Sequence, residues 1–274
     1  MPTPSNTIPI FQVDAFADRP FTGNPAAVCP LDGPLPDALM QDIAAENNLS
    51  ETAFFHRQGA DHDGALYGLR WFTPTVEVEL CGHATLASAF VLMTELDDTR
   101  TEVSFRTRSG LLGVRRRGDL YELDFPALPA VAAREPTAAI AVALGGAPSE
   151  ILRARAWLAV YPSAAAIRAL RPDMAALSRL DTSVCVTAPG DRDSGDPDFV
   201  CRYFAPGFGI PEDPVTGSAY CTLAPYWTAR LGKERLRARQ LSRRGGEVHC
   251  EVAPDQRVRI AGRARLVLTG TFHY

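Results

Sequence analysis

Three consecutive residues, Cys81, Gly82 and His83, stand at the mouth of a segment with almost no polar side chain, CGHATLASA. A thiol and an imidazole beside a glycine can move protons, ligate a metal or face an anion. A second junction of the same kind lies at Thr216, Gly217 and Ser218 in DPVTGSAYC, again leading into an apolar run. Where a helix begins, backbone N–H groups lack partners and carry partial positive charge. Glycine lets a ligand approach them closely. Two such starts facing each other across a cleft would hold a substrate carboxylate. The same residues also read as ordinary helix starts, with Ser218 and Asp213 as caps and Gly82 relieving crowding. Recurrence at two places favours a shared ligand site. A helix N-terminus would also lower the pKa of Cys81.

Other chemistries find less support. Zinc sites show paired ligands at short regular spacing; Cys81, His83, Cys201 and Cys221 do not, so no metal is expected. No G-x-G-x-x-G or G-x-x-x-x-G-K-[ST] run occurs, which leaves dinucleotide and P-loop sites without a basis. Lys233 is the only lysine and sits in a polar GKERLR turn, so a pyridoxal phosphate Schiff base is close to excluded. No cofactor is implied.

The elements that must position these residues repeat. Arg70, Phe72 and Pro74 match Arg202, Phe204 and Pro206, 132 positions later, while Gly82, Ala84 and Ala89 match Gly217, Ala219 and Ala224, 135 later. The second copy therefore has three extra residues between strand and helix. A period of about half the chain means two related halves. In the first, IPIFQVDAF, AAVCPL, TAFFHR, LYGLRWF, TEVSFRT, LLGVRRR and LYELDF read as strands. In the second, ARAWLAVY, DTSVCVTA, DFVCRYF, RLRARQLS, GEVHCEVA, RVRIAG and RARLVLT do. Residues 36–47, 138–144, 164–170 and 217–231 read as helices, and Pro225 should kink or shorten the last. The helix predicted over 84–96 is apolar on nearly all sides and must be buried all round. The expected fold is α+β: two similar halves, each a barrel-like, mostly antiparallel sheet wrapped around a central apolar helix. The domains are expected at 1–126 and 127–274, joined by a proline-rich linker over 125–137, with the last strand free to cross back to the first domain.

The chain has 274 residues and a net charge of −4, enough for one large domain or two modest ones. Its mild acidity does not suit a nucleic-acid binder. No apolar run of about 18 residues is present to span a membrane. The N-terminus lacks a secretory pattern, so a cytoplasmic protein is expected. The six cysteines are scattered, which predicts buried free thiols and not a disulfide framework.

The ordered motifs FQVDAFADRPFTGNPAAV, NNLSETAFF, RWFTP-x-x-E-x-x-LCGHATLASA and DPVTGSAYC resemble the PhzF family of phenazine-biosynthesis-like proteins, within the diaminopimelate-epimerase-like superfamily. The likeness runs from about Ile8 to the C-terminal strand. It implies two barrel-like halves with the site in the cleft between them, and a cofactor-free isomerase that shifts a proton and a double bond, in the characterised enzyme within a dihydro-hydroxyanthranilate. By motif, Glu51 would be the general acid/base, with His83 and Asp213 as supporting catalytic residues and Gly82, Gly217, Ser218, Cys81 and Thr216 binding a small carboxylate. The apolar neighbours Leu49, Ala53, Phe54 and Phe55 could raise the pKa of Glu51 by desolvation, so that one group takes and returns a proton. His83 could polarise a substrate oxygen, and Asp213 could hold a substrate amine or hydroxyl or orient His83. Superfamily racemases place a cysteine at both junctions. Thr216 stands at the second one here, which argues against a two-thiol mechanism. A one-base racemase or dehydratase using Cys81 stays open, as does a non-catalytic interaction protein on the same fold. Relatives of this family form homodimers, so a homodimer is expected.

Overall fold

Alternation along the strands sets which face is turned inward: Tyr121, Leu123 and Phe125 are buried between more exposed neighbours. The structure is a computed structural model that describes residues 7–61, 64–96, 99–133, 137–180, 182–191 and 195–274. The chain forms two compact units, one of Met1–Asp124 with Ala261–Tyr274, the other of Phe125–Ile260.

In the first unit, strands β1 (Thr7–Ala15) and β2 (Asn24–Leu31) precede helix α1 (Asp37–Asn47), then come β3 (Glu51–Asp61), β4 (Gly64–Phe72) and the short β5 (Glu77–Val78). Helix α2 (Gly82–Phe90) runs on as a π-helical segment over Val91–Leu96, followed by β6 (Glu102–Thr107), β7 (Gly110–Arg117) and β8 (Leu120–Pro126). Neighbouring strands pair β1–β2 antiparallel, β2–β3 parallel, β3–β4 antiparallel, β4–β6 parallel and β6–β7 antiparallel. Every residue of α2 from His83 to Phe90 is buried, and the helix touches β1, β2, β3 and β7. The predicted all-round apolar helix is thus present, starting two residues early and widening at its end. On the opposite strand face α1 packs Met40, Ile43 and Ala44 against Ile8, Cys29, Phe54 and Phe72.

The second unit repeats this plan. It contains β9 (Val131–Ala132), α3 (Ala138–Leu144), β10 (Glu150–Arg153), β11 (Trp157–Val160), α4 (Ala164–Ala169), α5 (Met174–Leu177), β12 (Val184–Pro189), β13 (Phe199–Ala205) and β14 (Ile210–Asp213). A 3-10 turn at Gly217–Ala219 leads into α6 (Tyr220–Leu231), then β15 (Arg235–Gln240), β16 (Gly246–Val252) and β17 (Arg257–Gly262). Pairings β10–β11, β11–β12, β12–β13, β13–β15 and β15–β16 follow the same sequence of directions as in the first unit. The last strand, β18 (Ala264–His273), lies antiparallel to β1. Register repeats as well: Thr52 opposes Phe72, and Val184 opposes Phe204. So does a side-chain device. Arg70 grips Glu77 through two bonds of 2.7 Å, and Arg202 grips Glu212 at 2.7 and 3.0 Å. Their guanidinium carbons lie 5.1 and 4.9 Å from the rings of Phe72 and Phe204.

Two expectations need correction. Pro225 does not shorten α6, which runs through it. Proline removes the N–H that would bond the Cys221 carbonyl, and the N–H of Leu128 fills that place at 2.9 Å. The segment predicted as a plain linker is also partly structured: β8 reaches Pro126, and Val131 and Ala132 pair with Arg153 and Leu152. Residues 134–136 of that segment, and 1–6 of the N-terminal stretch, lie outside the described residues. All six cysteines are free and buried.

Candidate active site

Glu51 is the first residue of β3, delivered there by a sharp helix end. Asn48 takes the left-handed conformation (φ 49°) and its N–H closes α1 on the Ala44 carbonyl at 3.2 Å. Asn47 then donates to the Thr52 hydroxyl at 3.0 Å. Beside this strand start lies the beginning of α2. Cys81 is its N-cap, with extended backbone and no side-chain cap bond. Thr85 ties the turn down, sending both its N–H and its hydroxyl to the Cys81 carbonyl at 3.1 and 2.6 Å.

These two ends bring Glu51, Cys81, Gly82 and His83 together. His83 Nε2 lies 3.1 Å from Glu51 Oε2, an ion-pair distance without the alignment of a directed hydrogen bond. The two side chains are 8% and 13% exposed. Oε2 itself is sealed from solvent, so the reachable part of Glu51 lies elsewhere on the side chain. The other ring nitrogen, Nδ1, is 3.5 Å from Cys81 Sγ and 3.3 Å from Asn24 Nδ2. With an amide N–H facing Nδ1, the proton of a neutral imidazole sits on Nε2, the nitrogen nearer Glu51. An imidazolium requires the amide to turn its oxygen to Nδ1.

Burial opposes charge on His83, but the Cys81 sulfur and the Glu51 carboxylate outweigh it and hold the pKa well above the ordinary 6.5. Cys81 moves the other way from the expectation. Burial, joined by the Glu51 charge, raises its thiol pKa, and the opposing pull of His83 is smaller. The helix start does not overcome the loss of water.

Asn24 is a member of this cluster that sequence reasoning left out, although it lies in the GNPAAV motif. It is fully buried at the first position of β2. The turn before it is unusual: Phe16 and Phe21 have φ of 57° and 69°, Gly23 has 68°, and Asp14 Oδ2 accepts the Phe21 N–H at 2.7 Å. A Cβ at Gly23 would collide with the Ala15 carbonyl oxygen. Strained backbone of this kind persists where surrounding packing fixes it. The available signal was an Asn at a strand start, behind a glycine.

The remaining predicted residues gather in the second unit. Thr216 is the N-cap of the short turn that leads into α6, again with no side-chain cap bond. Its hydroxyl donates to Asp213 Oδ2, and its N–H donates to Gln240 Oε1 at 3.0 Å. Gln240, fully buried, sends Nε2 to the Asp213 carbonyl at 2.7 Å. Gly217 is buried and Ser218 exposed. Asp213 is thus engaged in holding the loop of its own unit. Among the described residues, the group able to ligate a metal is Glu51, Cys81 and His83, whose donor atoms lie within 4.8 Å of one another. Cys201 and Cys221, weighed as zinc ligands from sequence, are not in it.

The model of the PhzC-PhzF family, described as phenazine biosynthesis-like protein, matches residues 13–270. The chain is 53% identical to the uncharacterized isomerase PA2770 of Pseudomonas aeruginosa, over 96% of this chain and 98% of that one. A crystal structure of a phenazine biosynthesis protein of the PhzF family from Enterococcus faecalis superposes with a TM-score of 0.91 at 43% identity, covering 98% of this chain and all of that one. A hydroxyproline epimerase from Agrobacterium vitis shares the fold at a TM-score of 0.56 and 12% identity, covering 97% of this chain and 92% of that one.

Proposed function

The chain belongs to the phenazine biosynthesis-like (PhzC-PhzF) family, and from the cluster in its first unit we propose a cofactor-independent isomerase that shifts a proton, and with it a double bond, within a small carboxylate substrate. Curated relatives that match along the chain are named isomerases, in keeping with that reaction class. The observation that carries the reading is the 3.1 Å approach of Glu51 to His83 in a nearly sealed setting.

In this reading the Glu51 carboxylate takes a proton from one substrate carbon and returns it to another. The electron pair left behind moves the double bond, and nothing is oxidised or reduced. One group serves as base and then acid. His83 holds Oε2, which leaves Oε1 as the proton-carrying oxygen, and Asn24 fixes which imidazole nitrogen faces Glu51. The uncapped start of α2 at Cys81 and Gly82 offers backbone N–H groups to a substrate carboxylate. Asp213 as a supporting catalytic residue, and Thr216, Gly217 and Ser218 as substrate-binding groups, belong to the same proposal.

The raised pKa of Cys81 supports Glu51 over the thiol as the proton carrier. Among the described residues no helix is long and apolar enough to cross a membrane; a cytoplasmic homodimer belongs to the proposal, with sedimentation as its test. The activity test is solvent deuterium uptake into a panel of cyclic unsaturated acids and amino acids. Incorporation at carbon by the wild type that disappears in Glu51→Gln, with calorimetric binding retained, supports the reading. Incorporation undiminished in Glu51→Gln ends it.

A further inference from the structure

The strand face turned away from α2 differs between the two units, and the difference leaves a cavity in the first. In the second unit helices α3, α4 and α5 cover this face, burying Val186, Ala188 and Val200 in one apolar cluster. By the shared register, their counterparts in the first unit are Phe54, His56 and Gly68. Among the described residues, the helix packed there is α1, and beside it opens a cavity of about 240 Å³. Its floor is apolar, with Leu35, Met40 and Phe54, and its rim carries Arg70, Arg106 and Arg108. Gly68 lines its wall beside the Gln58 amide.

The rim charges are not all answered. Arg70 pairs with Glu77 and Asp37, and Arg108 with Glu77. Arg106 differs. It neighbours Gly68 across the parallel pair, as Arg239 neighbours Val200 in the second unit. Arg239 stands opposite Glu247 and pairs with it at 3.6 Å, whereas Arg106 stands opposite Leu111. No described carboxylate pairs with Arg106. Three guanidinium groups against two carboxylates leave one positive charge over an apolar floor.

We propose that this cavity binds a small monoanion with an apolar body, a carboxylic acid whose carboxylate meets Arg106 and whose hydrocarbon part rests on Leu35, Met40 and Phe54. Scaling from a cavity of ~150 Å³ that takes benzene, it has room for about ten heavy atoms. The site is separate from the Glu51 cluster and does not depend on the catalytic reading.

The test is a titration of the full chain with 3-phenylpropanoate, read by the Met40 methyl resonance in protein labelled at methionine methyls. The expected result is a saturable shift of Met40. In Arg106→Glu, an exposed position, the dissociation constant rises at least about tenfold. The matched alcohol, 3-phenylpropan-1-ol, binds more weakly than the acid by a similar factor. Glu51→Gln leaves the Met40 titration unchanged. A thermal melt confirms that Arg106→Glu remains folded, and Arg106→Gln gives an intermediate constant. A Met40 signal that stays still at saturating probe, an unchanged midpoint in Arg106→Glu, or a response lost in Glu51→Gln overturns the proposal. So does equal binding of the alcohol.

Discussion

The start of β3 and the tip of α2 in the first unit, set against the start of β12 and the turn into α6 in the second, show one scaffold given two chemistries. Matching registers put Ser183 where Glu51 stands. The repeat puts Thr216 and Ser218 where Cys81 and His83 stand, and Gly217 where Gly82 stands. Every ionisable member of the first set is a hydroxyl in the second. Hydroxyls give and accept hydrogen bonds but do not ionise near neutral pH. The glycine stands on both sides, while the side chains around it differ. The two tips are thus alike in backbone and differ in their side chains: Glu51, Cys81 and His83 gather at the first, and Thr216 bonds Asp213 at the second.

The largest expected effect breaks that asymmetry directly. Glu51→Gln should lower kcat by about 10²–10⁴-fold, while Ser183→Ala, at the equivalent place, should stay within a few-fold. Equal losses in steady-state assays would show that both tips carry protons. Next comes Asn24→Ala. Its loss removes the contact that holds the His83 ring at Nδ1, and a fall in kcat of about tenfold is expected, by analogy with outer partners that orient a histidine. Asn24→Asp should recover part of this, because a carboxylate can also face Nδ1.

The pH dependence of stability sharpens the comparison further. His83 has a folded-state pKa above its ordinary 6.5. The stability it contributes is complete below that ordinary value and is lost as pH rises through the folded-state value. The Tm difference between wild type and His83→Gln should therefore shrink from mildly acid to alkaline pH. Ser218→Ala, its counterpart, should show a pH-independent difference. A gap for His83→Gln that widens with pH would contradict the ion pair. The smallest effect is Cys81→Ala, expected to change turnover by no more than a few-fold, since its thiol is buried and burial raises its pKa.

Much of the fold was legible because the repeat is carried by residues with rigid tasks. Arg70, Phe72 and Glu77 recur as Arg202, Phe204 and Glu212, and a fork over a ring needs those types at that spacing. The apolar run after Gly82 could only be a buried helix. Short-range pattern failed where long-range contact decided the outcome. Pro225 stays inside α6 because Leu128, remote in sequence, satisfies the freed carbonyl. In the cluster, Glu51 and His83 came from motif likeness, while Asn24 was hidden because a buried Asn at a strand start also reads as a turn residue. The thiol of Cys81 was misjudged for a related reason. A helix start can be read from sequence, but the burial and the neighbouring carboxylate that overcome it cannot.

The most direct test is the rate of solvent deuterium incorporation into a turned-over acid, measured side by side for Glu51→Gln and Cys81→Ala. The account predicts loss of exchange in the first and near wild-type exchange in the second. Exchange that survives in Glu51→Gln and vanishes in Cys81→Ala would contradict it and move the chemistry to the thiol.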